Sequence, residues 1–206
     1  MAGPGELNLD RRTFLKSAAV AGASGMVLDA EEKKPMEAHG PQPWSLKMVA
    51  PIEPAIVCSD LDRMLDFYTG ALGLKKVSDA EATPEMSKQF RAAPDGFRIV
   101  RLQTPYGERV KLVQTKMRPV KKQPLTEWTF ERHGISYITF VIADMKEMVA
   151  RLNECKVRLV LDEPLEVRKG FVALFVLDPE ENYVEFVEYQ DIASYRPDLF
   201  KWRQFF

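Results

Sequence analysis

Apolar positions along the chain follow two alternating rhythms. From Ile52 to Cys58 (IEPAIVC) they are nearly continuous and rich in β-branched types, which predicts a buried strand. Leu61, Met64, Leu65, Tyr68 and Leu72 then recur at i, i+3, i+4, i+7 and i+11, the spacing of one helical face. Ser59 or Asp60 is placed to cap that helix, acidic Asp62 lies in its first turn, and Gly73 is placed to stop it. The same grammar returns downstream. Ile135 to Ile142 reads as a strand, and Asp144 caps the next helix, with Glu147 three residues on in a capping-box arrangement. Met145, Met148, Val149 and Leu152 repeat the helical face. Asp60 and Asp144 are 84 residues apart, and so are Glu53 and Tyr137.

Both halves also close alike. Thr104 to Val113 (TPYGERVKLV) matches Asp178 to Val187 (DPEENYVEFV) at an offset of 74, each a Pro-bearing turn entering an alternating strand. The smaller offset implies about ten extra residues in the first half, expected within Ser78 to Gly96. Phe97 to Gln103, Val157 to Leu161 and Val172 to Leu177 supply the remaining strands. The fold class is therefore α+β, two tandem βαβββ modules, expected over 48–118 and 119–190 and followed by an aromatic tail, 191–206. Tyr195, Phe200, Trp202, Phe205 and Phe206 in and around that tail should cover the domain or a partner subunit.

Composition narrows the function classes. Of 206 residues, 46% are apolar and 29% charged, ordinary globular usage that excludes a disordered chain, a collagen-like fibre and a multi-span membrane protein. Twenty-nine Lys+Arg against 30 Asp+Glu leave no global field to draw nucleic acid, so no nucleic-acid partner is expected. Two cysteines, Cys58 and Cys155, cannot build a disulfide scaffold, although one bridge between them stays open. The two histidines restrict metal chemistry: His39 falls in a charged, Pro- and Gly-rich linker, 31–47. His133 stands in a turn before the second module's first strand, in solvent or at a pocket rim.

At the N-terminus, Arg11-Arg12-Thr13-Phe14-Leu15-Lys16 precedes a mild apolar run, Ser17 to Leu28, too short for a bilayer core of about 20 residues. This string resembles the bacterial twin-arginine signal, which routes proteins already folded in the cytoplasm. Asp10 departs from the usual Ser or Thr, and neither Leu28-Asp29-Ala30 nor Ala21-Gly22-Ala23 is a clear cleavage site. The segment 1–30 is thus expected to direct a periplasmic or exported location, with membrane contact only through export or an uncleaved signal. The alternative is a short amphipathic helix on a cytoplasmic protein.

Ser59-Asp60-Leu61, Phe67-Tyr68, Leu72-Gly73-Leu74, Val141-Ile142-Ala143-Asp144 and Asp178-Pro179-Glu180-Glu181-Asn182-Tyr183-Val184-Glu185 together resemble the vicinal oxygen chelate superfamily. That superfamily holds glyoxalase I, extradiol dioxygenases, methylmalonyl-CoA epimerase, and bleomycin- and fosfomycin-resistance proteins. The resemblance implies two modules forming one curved mixed sheet around a cup-shaped cavity. It also implies metal ligands from the first and last strands of each module. Carried onto this chain, those positions are Glu53 and Lys111, then Tyr137 and Glu185, where the metalloenzymes have His, Glu or Gln.

Lysine offers no lone pair while protonated, and a neutral phenol is a weak ligand. Glu53 and Glu185 alone make an unattractive site for zinc or iron, so no cofactor is expected, and a divalent metal on those two carboxylates is the alternative. Lys111 instead supplies the positive charge, in an expected network with Glu53 and Glu185 at the cup floor. Alternation adds Arg109, Thr139 and Tyr183 to a lining that also includes Ala55, Val57, Val113, Val141 and Val187. Arg109 is a candidate for a ligand carboxylate or phosphate. Three functions remain open. One is a metal-free small-molecule binding protein of the drug-sequestering kind. Another is a metal-dependent lyase, isomerase or dioxygenase. The third is a metal-free acid/base enzyme using Glu53 or Glu185 with Tyr137. A homodimer is also open.

Overall fold

The structure, a computed structural model, describes residues 50–116, 120–121, 124–126, 128–131 and 133–199. The expected signal and linker, with His39, and the tail residues Phe200, Trp202, Phe205 and Phe206 lie outside the described residues. Among the described residues, no helix is long and apolar enough to cross a membrane.

In the first half, strands β1 (Ala55–Val57), β2 (Lys75–Ala82), β3 (Phe97–Gln103) and β4 (Arg109–Thr115) form a sheet in the order β1-β4-β3-β2. In the second half, β5 (Tyr137–Ile142), β6 (Arg158–Leu159), β7 (Leu165–Arg168), β8 (Phe171–Leu177) and β9 (Tyr183–Tyr189) follow the order β5-β9-β8-β6, and β7 also pairs with β8. In each sheet the first strand lies parallel to the last, and the remaining pairs are antiparallel. A parallel pair needs a crossover, and each module supplies it with a helix.

The α+β class and the mixed sheets agree with expectation, but the hydrogen-bonded ladders form two sheets where a single continuous one was expected. β1 bonds β4 and β5 bonds β9; their outer edges face each other across a cavity of about 300 Å³. Strand bounds shift as well. β1 starts at Ala55, since the Ile52 to Pro54 approach has no ladder partner until Pro54 C=O accepts from Lys111 N–H. The ten-residue surplus of the first module contains helix α2 (Pro84–Gln89), whose Thr83 caps it and whose buried Ser87 bonds both backbone groups of Ala93. Gly96 returns this insertion to β3 at φ +84°, where a Cβ would meet the Ala82 carbonyl at 2.4 Å. Only glycine fits there.

Helix α1 (Leu61–Leu65) passes into a π-helical stretch, Asp66–Ala71. The wider turn rotates the apolar face, so Phe67 is buried beside Tyr68 (ring centroids 4.9 Å, near perpendicular), a residue the 3.6-residue spacing leaves out. Gly73 ends the segment at φ +75°, as expected. Helix α3 (Met145–Glu154) starts at Asp144, which accepts from Glu147 N–H. The Met145 N–H, free in the first turn, donates to Glu188 on β9. Leu61, Met64, Tyr68, Val100, Leu112, Leu152, Leu174, Val184 and Phe186 belong to a single core drawn from both modules.

Polar contacts clasp the modules around that core. Glu180, in the turn before β9, accepts from the Ser59 and Asp60 N–H groups at 2.7 and 2.8 Å and so completes the N-terminus of α1. Asp178, 3% exposed, accepts from Tyr68 Oη and from Asn182, and burial raises its pKa from the ordinary aspartate value against the pull of those hydrogen bonds. Arg151 on α3 donates to the Gly70 and Ala71 carbonyls at the end of the π-helical stretch that follows α1. Replacing Glu180 with Ala strands two N–H groups, and urea unfolding should show a loss of about 1–2 kcal/mol. No measurable loss would mean that the clasp carries no stability.

Candidate functional site

Strand alternation gives each sheet a helix-covered face and an open face. Val100, Leu102, Val110 and Leu112 point into the core, so Arg101, Gln103, Arg109, Lys111 and Val113 occupy the open face of the first sheet. On the second sheet Leu174, Val176, Val184 and Phe186 are core-facing, leaving Phe175, Tyr183, Glu185 and Val187 for the other face.

Equivalent strand pairs keep equivalent registers. Ala55 lies opposite Lys111 and Thr139 opposite Glu185, reproducing the offsets of 84 and 74. Arg101 likewise lies beside Lys111 as Phe175 lies beside Glu185. One framework therefore presents two opposite chemistries.

In the first module Lys111 Nζ is 2.9 Å from Glu53 Oε2, with both side chains 26% exposed, and Arg109 Nη1 approaches Glu53 Oε1 at 3.6 Å. The hydrogen bond from Lys111 holds the Glu53 carboxyl below its usual pKa; the charges of Lys111, Arg109 and Arg101 act in the same direction, against partial desolvation. Arg109 Nε also donates to Gln103 and Arg101 to Ser78 Oγ. In the second module Thr139 Oγ1 donates to Glu185 Oε2 at 2.6 Å. Burial pushes the Glu185 pKa up, opposed by that hydrogen bond. Burial, then the Glu185 charge, also raises the Tyr137 phenol, keeping it neutral. Tyr137 packs edge-on against Phe175 with ring centroids 5.3 Å apart, and Phe130 lies 6.0 Å away.

The expected three-membered charge network thus divides in two. Glu185 has the Thr139 hydroxyl opposite it in the register and takes that partner. Lys111 has only an alanine opposite and reaches Glu53 instead. No ion pair joins Glu185 to another described residue. The cavity at the module junction is lined by Pro54 to Val57, Ile135 to Ile138 and Glu180 to Tyr183, together with Ser59, Tyr68, Val120 and the cation Lys121. Tyr137 and Tyr183 line it; Glu53, Arg109, Lys111, Thr139 and Glu185 stand on the open faces outside that lining.

Arg101 and Phe175 belong to these faces and were absent from the expected lining. The alternation of β3 and β8 was the signal that could have found them. His133 is exposed in its turn, and both cysteines are unpaired, Cys58 buried and Cys155 exposed at the end of α3. Desolvation pushes the Cys58 thiol up to about 12, an unreactive state.

A divalent cation does not fit this donor set. Glu53 is engaged by an ammonium, Lys111 offers no lone pair, Tyr137 stays a neutral phenol, and Glu185 is held by Thr139. Among the described residues, no three His, Cys, Asp or Glu side chains converge.

Comparison with known proteins matches residues 49–186 to the Glyoxalase/Bleomycin resistance protein/Dioxygenase superfamily, and residues 8–27 to the twin-arginine translocation pathway signal sequence. The chain is therefore exported by the twin-arginine route. Among solved structures, a glyoxalase family protein from Bacillus cereus has a TM-score of 0.57 at 19% identity, covering 70% of this chain and 97% of the other. A glyoxylase/bleomycin resistance protein/dioxygenase domain from Frankia sp. has 0.54 at 14%, covering 69% and 93%. The trypanothione-dependent glyoxalase I of Leishmania major has 0.50 at 24%, covering 74% and 94%. These likenesses concern the fold. No protein of curated function matches the sequence.

Glu185 generates a pH prediction. Its folded pKa is raised, so the native state binds a proton more tightly than the unfolded chain, and stability falls as pH rises from the ordinary carboxylate range through the folded value. Glu185→Gln removes that loss. The variant should melt higher than the parent at pH 7, with the difference closing below about pH 4. A difference independent of pH would contradict the assignment.

Proposed function

The chain belongs to the Glyoxalase/Bleomycin resistance protein/Dioxygenase superfamily, and we propose that within it this is an exported small-molecule-binding protein whose site works without a metal ion. The carrying observation is the Lys111 ammonium, 2.9 Å from Glu53, at a position where the resemblance implies a metal ligand. A fixed positive charge there can neutralise an anionic ligand group without coordination chemistry. At about 4 Å and an effective dielectric near 20, one such pair is worth roughly 4 kcal/mol before desolvation costs. The adjoining cavity, about 300 Å³ and partly apolar, lies at the small end of ligand-sized spaces.

Glu185 favours a second reading, a metal-free acid/base enzyme. A half-buried carboxylate with a raised pKa is suited to proton abstraction, with neutral Tyr137 as hydrogen-bond donor. Under that reading a bound compound is turned over, and Glu185→Gln abolishes turnover without abolishing binding.

Two measurements test the proposal. In calorimetric titration with Mn²⁺ and Zn²⁺, the full chain should show no saturable uptake, while Lys111→Glu should gain it; stoichiometric binding by the parent would overturn the metal-free reading. Replacing Arg11 and Arg12 together with Lys should leave the protein in the cytoplasm, as fractionation would show, because the signal resides in the paired guanidinium groups.

A further inference from the structure

The internal repeat sets cationic positions of one module against aromatic and acidic positions of the other. The charges of Arg101, Arg109 and Lys111 all act on Glu53, three cations against one carboxylate, a formal surplus of two positive charges within this group. At the offset of 74, the same positions in the second module hold Phe175, Tyr183 and Glu185. The whole chain carries a formal charge of -1, so the local surplus is not a general property of the surface.

The basic face begins one strand behind one wall of the junction cavity, and the aromatic face begins at Tyr137 on the other. Ala55 lines the cavity and is the register partner of Lys111, which places Lys111 one strand spacing, about 4.8 Å, from the cavity wall. Tyr137 lines the opposite wall with its ring set edge-on to Phe175. We infer that the ligand is a planar aromatic molecule bearing a single anionic group, a carboxylate or phosphate. Its charge faces Arg101, Arg109 and Lys111, and its ring lies toward Tyr137 and Phe175.

Glu185 fixes the polarity. A carboxylate on the second sheet repels the ligand's anion and directs it to the first. Two guanidinium forks can meet a carboxylate or phosphate in bidentate fashion, and an aromatic wall gains from an edge-to-face or offset ring contact. A purely aliphatic anion uses half of this surface, and a neutral arene uses the other half.

This inference rests on the metal-free reading, and the test separates the two. Saturation-transfer NMR titrations of the full chain would compare phenyl phosphate and benzoate with inorganic phosphate, cyclohexanecarboxylate, benzyl alcohol and benzylamine. Phenyl phosphate or benzoate should bind at least about tenfold tighter than its non-aromatic or uncharged counterpart. Whichever of the two binds better tells phosphate from carboxylate. Arg109→Met and Lys111→Met should each remove the advantage over benzyl alcohol, while Lys88→Met, a cation on helix α2, leaves it intact. Tyr137→Leu should remove the advantage over inorganic phosphate or cyclohexanecarboxylate. Melting curves confirm that each variant is folded. Equal binding of neutral and anionic arenes, preference for benzylamine, or no binding by any probe overturns the inference and leaves the metal-free reading standing. Stoichiometric transition metal in the same preparation removes the reading itself.

Discussion

Parallel pairing of the first strand with the last is the constraint on which this structure depends. In each module it requires a helical crossover, and it sets two residues distant in sequence on neighbouring strands. Ala55 meets Lys111 and Thr139 meets Glu185, with Glu53 and Tyr137 just beside them. Any shift by one residue would turn Lys111 and Glu185 into the core, where neither could stay charged. The hydrophobic core on the other face, from Val100 and Leu112 to Val184 and Phe186, therefore holds the site in register.

Given that register, single residue identities decide the chemistry. Thr139 opposite Glu185 supplies a hydroxyl and leaves a half-buried carboxylate with a raised pKa; Ala55 opposite Lys111 supplies nothing, and the ammonium turns to Glu53. A duplicated scaffold has thus acquired one basic wall and one aromatic, acidic wall. The clasp through Glu180, Asp178 and Arg151 keeps the two modules on one core although no strand ladder crosses between their sheets.

Much of this arrangement was legible in the sequence because it repeats. The offsets of 84 and 74 located both strand pairs, and the caps Asp60 and Asp144 and the stop at Gly73 appear where local chemistry puts them. Periodicity fails where the backbone departs from regular geometry. Phe67 is buried because a π-helical stretch adds a residue to the turn, and β1 is shortened because its approach lacks a partner strand. The split of the charge network depends on side-chain reach, which alternation does not encode. Arg101 and Phe175 follow from the alternation of β3 and β8, and the pairing sets them beside Lys111 and Glu185. The seam between the two sheets follows from how modules pack, and no motif announces it.

Membership of the superfamily describes the scaffold, and function resides in the groups mounted on it. Under the proposed function, the Lys111 ammonium takes the place of a metal where the first and last strands of the first module pair. The most direct measurement is an anomalous-difference map from crystals of the full chain soaked in Mn²⁺. No peak is expected among Glu53, Lys111, Tyr137 and Glu185, with Lys111 Nζ in density against Glu53. A peak coordinated by Glu53 and Glu185, with the lysine displaced, would contradict it.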